Sequence, residues 1–478
     1  MNKEAIKFNF DNSFARSLDG LYERCRSDFV ISPEMLFFNC QLAEELCLDP
    51  SILNSEEGLA IFSGNKISED SDPLAQAYAG HQFGHFNPKL GDGRAILLGE
   101  IRDIHNKVKD IQLKGSGSTP FSRRGDGKSA LGPVLREYLI SESMHAMGIP
   151  TTRSLAAIST GEKVERETIL PGGILTRVAS SHIRIGTFEF ASQLKDLNKI
   201  KDLADYSIKR HYPEVSQIDN PYLAFFAAVC NEQASLIANW MSVGFIHGVM
   251  NTDNMSILGL TIDYGPFSFM EAYDPGFICN HSDTQGRYSF EKQPSVALWN
   301  LHRLADALKS LVNETQLKDA LSDYEPALVK EYSSLMRRKF GLLEVNDEDN
   351  ALINDFLELL YINKKDYHRS MRQLSSGKEH SLGGNFDSWF VRYKARLEKE
   401  TSRINQRVNM MHKVNPKYVL RNYLAEVAIR KAEDLNEYDE IETLFQLLKK
   451  PFDSHEGYES YDNAAPDWAQ NLELSCSS

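Results

Sequence analysis

The sequence predicts an α+β fold in two unequal lobes: a β-rich N-terminal region carrying one key helix, then a larger, mainly α-helical region. Three observations predict it. Glycine concentrates between Gly80 and Gly132, with a second knot at Gly172-Gly173, and short strand-like runs lie between these loops. From about residue 193 the apolar spacing shifts to the 3.6-residue period of helices. The chain, at 478 residues, also exceeds one average domain. The expected division is 1–192 for the β-rich lobe, 193–454 for the helical lobe and 455–478 for a polar, proline-punctuated surface tail.

Taken in order, strands are expected at 95–101, 110–113, 155–158 and 173–178, each rich in aliphatic residues between loops. A single helix interrupts them. Ser129 is its expected N-cap, Pro133 falls in its first turn, Val134, Leu135, Tyr138 and Leu139 form its apolar face, and Gly148 stops it. Helices are expected over 222–243, 295–312, 351–362, 389–405 and 419–431.

Composition narrows the function classes. Hydrophobic residues at 42%, charged residues at 25% and aromatics at 10% lie in the globular range. A net charge of -14 argues against a surface that wraps nucleic acid, so any phosphate site must be local. The first twenty residues interleave Lys3, Glu4, Lys7, Asp11 and Arg16 with apolar ones, unlike a secretory signal, which leads to an expectation of a cytoplasmic protein. The most apolar stretch, 222–245, carries Asn231, Glu232 and Gln233 at its middle and reads as a buried helix, not a membrane span. The six cysteines form no CxxC pair, which implies neither a zinc knuckle nor a disulfide scaffold.

The chemistry-bearing residues come in a definite order. Gly91-Asp92-Gly93-Arg94 precedes an apolar strand, offering close backbone approach and a bidentate cation to phosphate; a Gly-rich hairpin turn is the alternative. In the strand around Gln112 and Lys114, alternation puts Ile111 and Leu113 on one face and Lys114 on the other. Glu137 follows inside the one helix, and a strand lysine paired with a helix glutamate is how protein kinases hold the α- and β-phosphates of ATP. An edge lysine and a helix-face charge are the alternatives.

Further on, His247 to Asn254 and then Asp263-Tyr264-Gly265 have the shape of a kinase catalytic loop and its metal-binding Asp. Asn254 and Asp263 offer hard oxygens suited to Mg²⁺. One position departs. Where the kinase pattern has its base, this chain has Val249, and Asp253 is the nearest carboxylate to replace it. Arg177 and Arg184 flank Ser180-Ser181-His182 as phosphate clamps or as surface arginines. His81 and His85 are spaced i, i+4 but lack the glutamate of a zinc protease motif.

Long stretches resemble the selenoprotein O family of protein adenylyltransferases: YAGHQFGHFNPKLGDGRAILLGE, QLKGSGSTPFSRRGDGKSALGPVLREYLISE, LTRVASSHIRIGTFEFAS, GFIHGVMNTDNMSILGLTIDYGPFSFMEAYDP and the Cys-Ser-Ser end. The resemblance covers nearly the whole chain. It implies a protein-kinase-like fold in which ATP lies flipped, so that AMP passes to Ser, Thr or Tyr hydroxyls of proteins and pyrophosphate leaves, with Mg²⁺ or Mn²⁺ as the cofactor. Carried over position by position, it implies nucleotide contacts from Gly91, Gly93, Arg94, Lys114, Asp126, Gly127, Arg177 and Arg184. It also implies metal ligation by Asn254 and Asp263, proton acceptance by Asp253 and support of the lysine by Glu137. The family often carries selenocysteine near its C-terminus, where this chain has Cys476. Cys279, in the segment standing where an activation loop would, is a candidate partner for Cys476 in a regulatory bond; two free thiols are the alternative. An unconventional kinase and a silent ATP-binding pseudokinase scaffold are the competing functions.

Overall fold

The computed structural model describes residues 6–377, 379–472 and 474. Its organising element is an antiparallel sheet of eight strands: β1 (Tyr22–Arg24), β2 (Glu34–Phe38), β3 (Leu74–Gln76), β4 (Ala95–Arg102), β5 (Val108–Lys114), β6 (Ser129–Ala130), β7 (Arg153–Glu165) and β8 (Ile169–Ala179). The order is β1-β3-β4-β5-β8-β7-β2, with β6 added on β8. Strand alternation sorts the side chains. Ile111, Leu113, Ile174 and Val178 face a core shared with Ala43, Leu46, Ile61 and Phe62 of short N-terminal helices. Register sets Arg177 of β8 opposite Gln112 of β5, with Lys114 two residues further along. The pleat therefore gathers Gln112, Lys114 and Arg177 on one face.

Helix α1 (Leu131–Ala146) lies against that sheet, Val134 and Tyr138 packing on Ala157 and Leu175. Nearly every residue of it is buried, Glu137 included. Its start corrects the sequence reading: Ser129 is not the N-cap. Ser129 pairs with Gly173 in the sheet, and the residue before the helix is Ala130, which has no side chain able to cap. The free N–H of Gly132 is instead bonded by Glu433 Oε1 at 2.8 Å, from the far end of the chain. A second correction is that α1 is not the sole helix of the first half. Short helices Ser13–Ser17, Cys40–Glu45, Pro50–Leu53 and Glu56–Phe62 are each too brief to show a period.

Beyond β8 the chain is largely helical, with α2 (Ile185–Gln193), α3 (Asn198–His211), α4 (Pro221–Ser242) and α5 (Gln293–Leu308) forming the part nearest the site. The apolar stretch read as a buried helix is α4. Asn220 caps it by accepting from Leu223 N at 3.2 Å, and Pro221 supplies a fixed φ at its first position. Its polar interior residues face the loop that follows: Gln233 Nε2 donates to Ser256 O at 2.6 Å and Trp240 Nε1 to Thr261 Oγ1 at 2.9 Å. No described helix is long and apolar enough to cross a membrane. The expected helix over 389–405 is two, Asp387–Leu397 and Ile404–Val414. Between them Glu400 turns back to accept from Leu343 N at 3.0 Å, and that stretch has no apolar anchor to continue the period. The expected helix over 419–431 spans Asn422–Arg430 before loosening into a π-turn.

One large apolar core joins the sheet side to the helices, running from Phe14 and Leu97 through Leu135, Phe188, Phe225 and Trp240 to Leu444. The polar tail carries two short turns, Glu459–Asp462 and Asp467–Asn471, and Leu474 O accepts from His281 N at 3.0 Å. Cys476 lies outside the described residues, so the proposed pairing with Cys279 cannot be placed. Cys279 itself is buried, its Sγ donating to Pro266 O at 2.6 Å.

The loop after α4 is cramped where Gly248 turns with φ +79°, a left-handed conformation that costs an L side chain energy. A Cβ there would stand 2.6 Å from Pro266 O and 2.7 Å from Cys279 Sγ. Gly248→Ala is therefore expected to destabilise by more than the ~1 kcal/mol of backbone strain alone, read as a lower denaturant midpoint at unchanged slope.

Candidate active site

The loops converge on a cleft of 690 Å³. One wall is Gly-rich: Gly91, Gly93 and Arg94 before β4, and Asp126 and Gly127 before β6. Lys114 and Arg177 reach in from the sheet, while Asp253, Asn254 and Asp263 come from the loop after α4. Two of the sequence-predicted residues, Glu137 and Arg184, do not line the cleft but stand directly behind it.

From the cleft wall inward, five charges form a continuous chain, largely buried, with Asp263 the most exposed member. Glu137 Oε2 accepts from Lys114 Nζ at 2.5 Å and its Oε1 from Arg177 Nε at 2.5 Å. Arg177 Nη1 then meets Asp263 Oδ1 at 2.8 Å, and Arg184 Nη1 meets Asp263 Oδ2 at 2.7 Å. Arg184 also donates to Asp253 O at 3.0 Å and stacks over the Tyr78 ring at 4.4 Å. The two arginines are thus not surface charges; both are about 2% exposed and tied to the carboxylate predicted to hold metal. Burial would raise the pKa of Glu137 and of Asp263, but the cations outweigh it. Arg177 and Lys114 hold Glu137 low, and Arg177, Arg184 and Lys114 hold Asp263 far below the carboxylate range. Burial and the neighbouring Arg177 push the Lys114 ammonium down to about 8, which leaves it mostly charged at neutral pH.

Asp253 has the opposite environment. It sits in the single turn Thr252–Asn254, nine-tenths buried, with one donor to its side chain, Gln82 Nε2 at 3.3 Å, and with Oδ1 unpartnered. Burial pushes its pKa up to about 6. The turn is braced by the ribbon Gly80–Gln82 and His85–Asn87, whose His81 N donates to Thr252 Oγ1 at 2.7 Å. Thr252 Oγ1 and His81 Nδ1 both reach Glu189 of α2 at 2.5 Å, so His81 serves this brace. The ribbon approaches so closely that a Cβ on Gly186 would stand 2.1 Å from Ala79 O. Asn254 Nδ2 donates to Val249 O at 3.0 Å, which fixes the amide and leaves its carbonyl oxygen available. With Asp263 ionised, these two hard oxygens fit Mg²⁺ or Mn²⁺; among the described residues no group of three or more His, Cys, Asp or Glu gathers as a fuller cage.

Sequence reasoning missed four contributors. Asp92 is buried; its carboxylate accepts from Gln76 N and Gln112 Nε2, both at 3.2 Å, and so anchors the Gly91–Arg94 loop. Arg166 grips Asp126 through two 3.0 Å bonds, which makes Asp126 a loop anchor at the rim. Arg94, Arg123 and Arg124 line the cleft, and among the described residues none of them pairs with a carboxylate. The signal for them was present in the run Ser122-Arg123-Arg124-Gly125-Asp126-Gly127, basic residues set among glycines.

The raised pKa of Asp253 has a definite sign. A carboxyl whose folded pKa lies above its unfolded value near 3.9 adds stability below that value, and this is lost as pH rises through about 6. In metal-free protein at pH 7.5, Asp253→Asn should therefore stabilise the fold by on the order of 1–3 kcal/mol. The gain should vanish near pH 4, as thermal melts at both pH values would show.

The chain is matched over residues 4–450 by the family described as protein adenylyltransferase SelO. It is similar to curated relatives each named protein nucleotidyltransferase YdiU. That of Methylorubrum populi is 47% identical over 481 residues, covering 96% of both chains. That of Thiobacillus denitrificans is 46% identical over 481 residues, covering 98% of both. That of Shouchella clausii is 45% identical over 468 residues, covering 96% of both. Likeness of this depth over nearly the whole chain shows that it belongs to the protein adenylyltransferase SelO family.

Proposed function

We propose that this enzyme transfers AMP from ATP to Ser, Thr or Tyr hydroxyls of proteins, with release of pyrophosphate, in a cleft between two kinase-like lobes divided near residue 192. The observation that carries this reading is the distribution of charge in the cleft. Val249 occupies the position of the kinase base, whereas Arg94, Arg123 and Arg124 stand along the Gly-rich wall without carboxylate partners among the described residues. Cations placed there suit a leaving group on which charge grows, which is pyrophosphate if the α-phosphorus is attacked.

In this reading the acceptor hydroxyl oxygen attacks the α-phosphorus, its proton passes to Asp253, and the bond from the α-phosphorus to the bridging oxygen breaks as pyrophosphate departs. Lys114, steadied by Glu137, meets the phosphates nearest the reaction, and backbone at Gly91, Gly93 and Gly127 lets them approach. Asn254 and Asp263 would hold Mg²⁺ or Mn²⁺, which when bound offsets polyphosphate charge. Arg177 and Arg184 keep the Asp263 carboxylate ionised and aimed. Asp253 lines the cleft, and among the described residues no Lys, Arg or His pairs with its carboxylate, which suits it to accept a proton.

Incubation with ATP labelled on the α-phosphate should transfer label to protein, and γ-labelled ATP should not; γ-label without α-label would establish a kinase instead. Lys114→Ala and Asp263→Ala should each cut transfer at least ~100-fold. Asp253→Asn should lower the maximal rate with ATP affinity nearly unchanged, since a base acts on the acceptor in the transition state. Equal losses of rate and affinity would make Asp253 a ligand-binding group.

A further inference from the structure

A second cavity, of 900 Å³, is larger than the cleft and shares no lining residue with it. It opens where the β4–β5 turn, the last turn of α3 and the N-terminal helix Ser13–Ser17 meet. Its charge runs against that of the molecule. In a chain of net charge -14, Arg16, Arg102, Lys107, Lys209 and Arg210 line it against two carboxylates, Asp11 and Glu214, and Asp11 is already paired with Arg16. The dipole of α3 accounts for cations at its own C-terminus. It does not account for Arg102 and Lys107, which come from the sheet.

The cations differ in what they are free to do. Arg210 is structural: its Nη2 meets Asp110 Oδ1 at 2.5 Å and Ser180 O at 2.8 Å, which fixes the floor of the cavity. Lys107 and Lys209 are exposed and have no carboxylate partner among the described residues, and Arg102 reaches only the neutral Asn106, at 3.1 Å to its carbonyl. Two nitrogens in the lining are buried with no hydrogen-bond partner, Arg210 Nε and His211 Nε2. Burial and the adjacent Arg210 push His211 down to about 3, so its imidazole is neutral and able to present an N–H. Another part of the wall is apolar, from Val108, Pro213, Leu258 and Leu260. Free cations beside an apolar wall, in a volume typical of small-molecule sites, match a phosphorylated molecule with a less polar body.

We infer that this cavity is a second ligand site, taking a phosphate-bearing small molecule of nucleotide size through Arg102, Lys107 and Lys209. The inference concerns binding alone and stands apart from the transfer reaction. Ser180 on its floor lies in the short segment between Arg177 and Arg184, so the two sites share a supporting stretch of backbone.

Calorimetric titration of the full-length protein tests it, with ATP and, separately, inorganic tripolyphosphate as probes. Wild type should bind two equivalents of ATP, and K107E/K209E one, with the retained equivalent and an unchanged melting curve reporting an intact fold. The milder Lys209→Gln should weaken the same equivalent by at least ~10-fold, about 1.4 kcal/mol. Tripolyphosphate binding lost in K107E/K209E would assign recognition to the phosphates alone, and ATP binding lost without it would add the nucleoside. Isotherms of wild type and K107E/K209E that superimpose for both probes would overturn the site.

Discussion

The buried chain from Lys114 through Glu137, Arg177 and Asp263 to Arg184 is the constraint on which the rest of the site depends. Burying one such charge alone is prohibitive, and each member is tolerable because a neighbour of opposite sign stands within 2.8 Å. Its members come from β5, α1, β8, the start of α2 and the loop after α4, so forming the ion pairs docks the sheet, its helix and the loop together. The order is demanding: Glu137 accepts from two cations through its two oxygens, and Asp263 does the same. Removing either would leave two buried cations facing one another.

That chain explains why the loop holds an unfavourable shape. Asp263 adopts φ +55°, a left-handed conformation that Asp tolerates better than most residues. Two guanidinium groups fix its carboxylate from opposite oxygens, which over-determines the backbone beneath it. The geometry delivers an ionised carboxylate at a set place in the cleft with no need for a charge there to find its own partner.

Asp253 shows the complementary design. Ten residues away in sequence, it is denied a cation: Arg184 bonds its backbone carbonyl and leaves its carboxylate to one amide. One cleft therefore contains two aspartates pushed in opposite directions, one kept ionised by arginines and one raised by burial. Separation of this kind divides a ligand-holding role from a proton-accepting role at a single pH. Stability is given up at Asp253, and the brace of His81, Thr252 and Glu189 keeps the turn in place despite it.

By itself the sequence determined what local pattern can determine. The strands around Ile96, Ile111, Leu155 and Ile174 follow from aliphatic runs between glycines, and the buried helix α4 from its apolar length. The order of Lys114, Glu137, Asn254 and Asp263 is visible in the line of residues; Lys114, Asn254 and Asp263 line the cleft, and Glu137 stands behind it on Lys114. Only the tertiary structure decided how the charges are shared. Arg177 finds Glu137 40 residues away and Arg184 finds Asp263 79 residues away, and no short-range period encodes such partners. The same reason lies behind the misread cap at Ser129, whose backbone the sheet takes, and behind the helix broken after Leu397, where Glu400 answers to Leu343. A residue's propensity is a property of its neighbours in sequence; its charge state and partner are properties of whatever the fold returns to its side.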